Sequence, residues 1–173
     1  VKIQEIESIN FTKRLPVSKE IINVDKDLNQ KNLGQDLPIL LDQLPSVVTT
    51  SDAGAGVGYT GIRVRGSDAT RVNVTINGIP YNDAESQGTF FVDLPDFASS
   101  VEDIQLQRGV GTSTNGSGAF GASLNLRTLK PSTEGYATTS HSVGSFGTRK
   151  HSISLGSGIK KGGKHPEDIK TVP

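Results

Sequence analysis

Between Gly61 and Thr128, apolar and polar residues alternate in four short runs, each bounded by glycine. Ile62 and Val64 interleave with Arg63 and Arg65. Val72, Val74 and Ile76 interleave with Asn73, Thr75 and Asn77. Ile104 and Leu106 interleave with Gln105 and Gln107, and Leu124 and Leu126 flank Asn125. A period of two gives each run one apolar face, so the pattern predicts a small half-buried sheet of four strands. Asn77-Gly78 is the strongest hairpin signal, because both residues accept positive φ.

Upstream, residues 20–24 read as a further strand. Asp25 offers an N-cap for a short helix to about Lys31, with Gly34 as its stop. Leu37, Leu40, Leu41 and Leu44 fall at i, i+3, i+4 and i+7, which predicts a second helix packed on the sheet. Asp36 would cap it, Pro38 fits its first turn and Pro45 stops it. Residues 49–61 read as a flexible loop; a phosphate cradle is excluded, because the glycines lead into a strand and no Gly-Lys-Ser/Thr follows. Residues 97–101 are expected to make one helical turn. Past Pro131, residues 136–143 and 149–155 alternate weakly around Gly144–Gly147, with the length of outer-membrane barrel strands and of soluble hairpins alike.

Composition narrows the chemistry. The 173 residues carry 18 Lys+Arg against 18 Asp+Glu, so net charge argues for neither nucleic acid nor an anionic surface. The absence of cysteine excludes disulfides, thiolate metal sites and thiol catalysis. No run of 18 apolar residues marks a transmembrane helix, and no basic-then-apolar start marks a signal peptide. The chain, which does not begin with Met, reads as a mature product or a piece of a longer one. His141, His151 and His165 lack the i, i+4 spacing of a helical metal site, and no Gly-x-Ser-x-Gly occurs, so no catalytic, metal or cofactor residues are assigned and no enzyme is expected. The least ordinary loop is 81–96, which mixes acids, amides and paired aromatics. Asp83, Glu85 and Asp93 do not match the spacing of an EF-hand calcium loop.

The Arg65-Gly66 strand end, the strand ending Asn77-Gly78, the Val101-Glu102-Asp103-Ile104 strand ending Arg108-Gly109, and the glycine-rich turn into Leu124 stand in a specific order. Over roughly residues 20–130 this order resembles the plug domain of TonB-dependent outer-membrane receptors. Gly121-Ala122, where the family usually has two glycines, and Ser123, where it has an aliphatic residue, are mild departures. The resemblance implies an α+β fold: a small mixed-sheet plug with short helices, followed by the first strands of a transmembrane β-barrel. It divides the chain into an N-terminal segment 1–19, a plug 20–130, and a barrel start with a polar tail at 131–173.

The same resemblance implies the plug of an outer-membrane active transporter in a Gram-negative cell, importing a scarce nutrient, foremost a siderophore or other metal chelate. Its partners would be the TonB energy-coupling protein, the outer membrane and the small-molecule substrate, and not nucleic acid. Ile3, Gln4, Glu5 and Ile6, within residues 2–9, would meet TonB by strand addition from the periplasmic side. Tyr59, Ser67, Asp68, Tyr81, Asn82, Glu85, Gln87, Phe90 and Phe91 would be the substrate candidates. Arg65 and Arg108 would lock the plug to barrel glutamates beyond residue 173, since a guanidinium removed from bulk water needs an anionic or carbonyl partner. A barrel that holds a plug needs about 22 strands, and this chain has room for two. Two alternatives stand: a glycan or peptide importer of the same fold, and a soluble carbohydrate-binding or adhesive β domain in which the 136–155 hairpin completes a sandwich.

Overall fold

The computed structural model describes residues 19–110 and 119–159. Its centre is a five-stranded mixed sheet in the order β1-β6-β7-β4-β5, comprising β1 (Lys19–Asn23), β4 (Val72–Ile76), β5 (Ile79–Pro80), β6 (Val101–Arg108) and β7 (Ala122–Thr128). All neighbours are antiparallel except β4 and β7. Register lines up one row of Ile22, Ile104, Leu126 and Ile76, and a second of Leu106, Leu124 and Val74. These rows share a core with Leu37, Leu40, Leu41, Ile62, Val64, Phe91 and Ala98. The alternate positions carry Gln105, Asn125 and Thr75, where the Thr75 hydroxyl donates to Asn125 across the parallel pair at 2.6 Å.

The expected four-stranded sheet is redistributed. The first of the four runs, β3 (Thr60–Val64), pairs with β2 (Val47–Ser51) in a separate hairpin, and β1 and β5 take places in the main sheet instead. Val47–Ser51 corrects part of the loop expected at 49–61: Val47 is buried while Val48 and Thr50 face solvent, so only one side of this small-residue strand carries an apolar signal. Ile62 and Val64 are buried as expected. Arg65, however, leaves the strand at φ 52° and does not share Arg63's face.

The expected helices shrink to turns. Residues 24–31 form a π turn and a 3-10 turn capped by Asn23, whose side chain accepts from Lys26 N at 3.2 Å; Asp25 lies inside the turn. The leucine stripe forms α1 (Leu37–Leu40) with Pro38 in its first turn, and Leu37, Leu40 and Leu41 are buried. Asp36 stands at the N-cap, but its buried carboxylate accepts from Thr60 Oγ1 on β3 at 2.9 Å and makes no cap bond. Asn77 and Gly78 both take positive φ in the β4–β5 turn, as expected. Residues 97–100 form the expected single turn.

The last element is the hairpin of β8 (Tyr136–Val143) and β9 (Arg149–Gly156). Its faces segregate. One carries Tyr136, Thr138, Ser140 and Ser142 opposite Gly156, Ser154, Ser152 and Lys150. The other carries Ala137, Thr139, His141 and Val143 opposite Leu155, Ile153, His151 and Arg149. The hydroxyl-rich face lines a cavity of about 470 Å³ opposite the turns that hold Val24, Asn32 and Ala98 and opposite Val101 at the start of β6. Val143, Ile153 and Leu155 are exposed on the outer face.

Candidate functional site

Two groups of loops meet the sequence-derived candidates. At one end of β3, Tyr59 is 67 % exposed. The backbone closes there with Asp52 N donating to Tyr59 O at 3.1 Å. Phe91 and Thr89, on the return leg of the 81–91 loop, line a small cavity with Gly61, Ile62 and Val72. The exposed Phe90, at 46 %, therefore emerges on chain neighbouring the Tyr59 stretch. Phe91 itself is 2 % exposed and belongs to the core, which removes it from any surface contact.

The outgoing leg of that loop is tied to the sheet. The Asn82 carboxamide accepts from Val74 N at 2.7 Å and donates to Val72 O and Gln87 O, both at 3.0 Å. It extends the ladder beyond the two residues of β5, so its polar atoms face the backbone and not a ligand. Tyr81 is half-buried, and desolvation, with Asp93 nearby, raises its phenol above the usual 10.0. Asp83 organises the tip: its carboxylate accepts from Ser86 N at 2.7 Å, Ser86 Oγ at 2.8 Å and Glu85 N at 3.2 Å. The Ser86 hydrogen bonds, backbone first, hold that carboxyl below 3.8. The side chains of Glu85 and Gln87 are exposed at this tip. Among the described residues no group of three or more His, Asp or Glu is arranged to hold a metal ion.

Ser67 and Asp68 lie at the other end of β3 from Tyr59, so the structure does not gather all the candidates together. Asp68 caps the turn Ala69–Arg71 by accepting from Thr70 N at 3.0 Å, which lowers its pKa from 3.8. Ser67 packs on Gly121, whose N–H donates to Arg71 O at 2.9 Å. Beside them the Arg71 guanidinium stands 5.7 Å from the ring centroid of the exposed Phe120, an outward pair with no signal in the alternation.

The two arginines do converge. Arg65 N donates to Ser46 O at 2.8 Å, and its guanidinium passes so near Gly109 that a Cβ there would lie 3.3 Å from Nη1. Arg108, the residue before, donates through Nε to Pro45 O at 2.9 Å and forms an ion pair with Glu20 on β1. Arg108 thus has an anionic and a carbonyl partner inside this chain, beside the barrel glutamates beyond residue 173 that the resemblance implies for it. Glu20 is 88 positions away and carries no local cue to this role. The residues expected to meet TonB, Ile3, Gln4, Glu5 and Ile6, lie outside the described residues, as does the glycine-rich turn at 111–118. No helix among the described residues is long and apolar enough to cross a membrane, which says nothing of strands.

Comparison with known proteins supplies the context. Residues 12–123 match the family model of the TonB-dependent receptor plug domain. The vitamin B12 transporter BtuB of Vibrio cholerae serotype O1 is 31 % identical over 128 residues, covering 74 % of this chain and 20 % of that protein. The chain therefore spans about a fifth of the length of the curated relatives it matches. Among solved structures, the alcaligin outer-membrane receptor FauA from Bordetella pertussis superposes with a TM-score of 0.65 at 20 % identity, over 85 % of this chain and 24 % of that one. The ferric yersiniabactin uptake receptor FyuA from Yersinia pestis gives a TM-score of 0.62 at 18 % identity, over 84 % and 22 %. These two likenesses show the shared mixed-sheet fold.

Proposed function

The chain belongs to the TonB-dependent receptor plug domain family, and from that premise we propose that it is the plug, with the first barrel hairpin, of an outer-membrane active transporter for a metal chelate. The observation that carries the reading is the orientation of the β8–β9 hairpin. Its Ser/Thr face lines the cavity against the plug turns and the start of β6, and the face bearing Val143, Ile153 and Leu155, with His141, His151 and Arg149 among them, looks away. A soluble sandwich would bury the apolar face on the sheet and wet the polar one. A membrane barrel around a polar interior requires the reverse.

A metal chelate is favoured by the relatives: a vitamin B12 transporter in sequence, and siderophore receptors in fold. Tyr59, Phe90, Glu85 and Gln87 are the exposed side chains offered for contact with it. Import would couple to TonB through residues 2–9, placed toward the periplasm, and would need no bond in the substrate to break. Uptake of a ferric siderophore panel and of cobalamin by cells carrying the full receptor, with and without TonB, tests this. TonB-dependent accumulation of at least one chelate is expected. Accumulation of none, alongside TonB-dependent growth on an oligosaccharide or peptide, would replace the substrate class. A protein recovered only in the soluble fraction would overturn the transporter.

A further inference from the structure

The hairpin and the main sheet share no strand pairing, and a cavity of about 470 Å³ lies between the hairpin and the plug turns at 24–32 and 98–99. One cation spans the gap. Lys150, on the inner face of β9 and 13 % exposed, donates to Asp96 Oδ1 at 2.6 Å and to Ser99 Oγ at 2.7 Å. The Ser99 hydroxyl donates to Asp96 Oδ1 at 2.8 Å and accepts from the buried Asn32 carboxamide at 3.1 Å. The ammonium thus has both an anionic and a hydroxyl partner on the plug, as a little-exposed cation requires. Asp96 holds a left-handed backbone, φ 49°, an arrangement that persists only where its surroundings compensate for the strain. The next residue after Asn32, Leu33, fills the space above Gly144 in the hairpin turn, where a Cβ would collide with its side chain. The same two plug loops, 32–34 and 96–99, therefore grip the hairpin at both its turn and its second strand.

We propose that Lys150 is an ionic latch through which the barrel wall holds the plug, with the Asp96–Ser99 turn as its seat. The inference rests on the reading of β8–β9 as barrel wall. The turn leads directly into β6, whose far end carries Arg108 and its bond to β1, so the latch and the arginine pair sit at opposite ends of one strand. Leu33 against Gly144 and the apolar edges of the cavity at Val24, Ala98 and Val101 complete the contact, and Lys150 supplies its charged part, the one a neutralising substitution removes.

Amide hydrogen exchange on the full receptor tests the latch. Wild type is compared with Lys150→Met, Asp96→Asn, their double variant and Lys150→Arg. Each neutralising substitution is expected to speed exchange at Ser99 at least tenfold and to leave Val74 in β4 unchanged. The double variant should be no faster than the faster single. Lys150→Arg, which keeps the charge, should stay nearer wild type than Lys150→Met. Single effects below twofold, effects that multiply in the double variant, or an arginine variant that behaves like methionine would each overturn the latch. Exchange is measured without transport, so a failed latch with TonB-dependent uptake intact leaves the transporter standing. An intact latch in a receptor that imports nothing removes only the transport reading.

Discussion

Gly121→Ala is the substitution with the best-defined consequence. A methyl group built there would lie 2.5 Å from Ser67 Cβ, 2.8 Å from Ser67 Oγ and 3.1 Å from Arg71 O. Ordinary carbon contacts begin about an ångström further out. Gly121 cannot slide away, because its N–H bonds Arg71 O at 2.9 Å and its carbonyl accepts from Gly109 N at 2.7 Å. The 66–68 turn must move instead. Overpacking of this kind costs about 1–3 kcal/mol. The thermal and urea midpoints should fall by the corresponding amount. Ser67→Gly removes the two nearest atoms and leaves only the Arg71 carbonyl, so it should return more than half of the loss when combined with Gly121→Ala. Alone it should lower stability by about 0.5–1 kcal/mol through backbone entropy. Thermal and urea unfolding of the four proteins closes the cycle. An alanine variant within about 0.5 kcal/mol of wild type, or a strictly additive double variant, would refute the packing argument.

Three further outcomes are expected. Thr60→Val keeps the shape of the side chain but strips the buried Asp36 carboxylate of its hydroxyl donor; the urea midpoint should fall by an amount equal to about 1–3 kcal/mol, and Thr60→Ser should restore most of it. Asp83 has a folded pKa below 3.8, so its support of the 83–88 turn is fully present above that value and is lost as pH falls through the lowered one. The Ser86 amide resonance should track this titration, and Asp83→Asn should abolish it. For Arg108 and Glu20, a cycle of Arg108→Met and Glu20→Gln should give a coupling of only about 0.5–1 kcal/mol, because Glu20 is 36 % exposed and water screens the pair. A coupling indistinguishable from zero would show that Pro45 O, not Glu20, is the partner that holds the guanidinium.

The sequence was most legible where a period of two met a turn with fixed chemistry. Val72–Ile76 with Asn77-Gly78, and both strands of the terminal hairpin, lie within a residue of expectation. It was least legible where short polar residues carry tertiary bonds. Val47–Ser51 forms a strand because β3 pairs with it, and Asp36 serves Thr60 instead of its own helix. The candidate site was readable only as loops. Nothing in the order of residues 81–91 distinguishes Phe90, which faces solvent, from Phe91, which closes the core, or marks Asn82 as a surrogate strand residue. Nor does a composition reading bring Lys150 to Asp96, 54 positions away.

The place of β1 in the sheet also sets an order of assembly. Hairpins β2–β3, β4–β5 and β8–β9 close over short stretches of chain. β1 sits at one edge, pairs only with β6, and must wait for a partner some 88 residues downstream. Loop-closure entropy grows with that separation, so local pairs nucleate first and β1 docks late onto a sheet already formed by β6, β7 and β4. The reverse path has the same logic. An edge strand can detach while its neighbours keep their ladder, so the amides of β1 that pair with β6 should exchange with solvent well before that of Leu124 at the centre. The strand that follows the N-terminal segment is thus late to arrive and can leave without the sheet's centre.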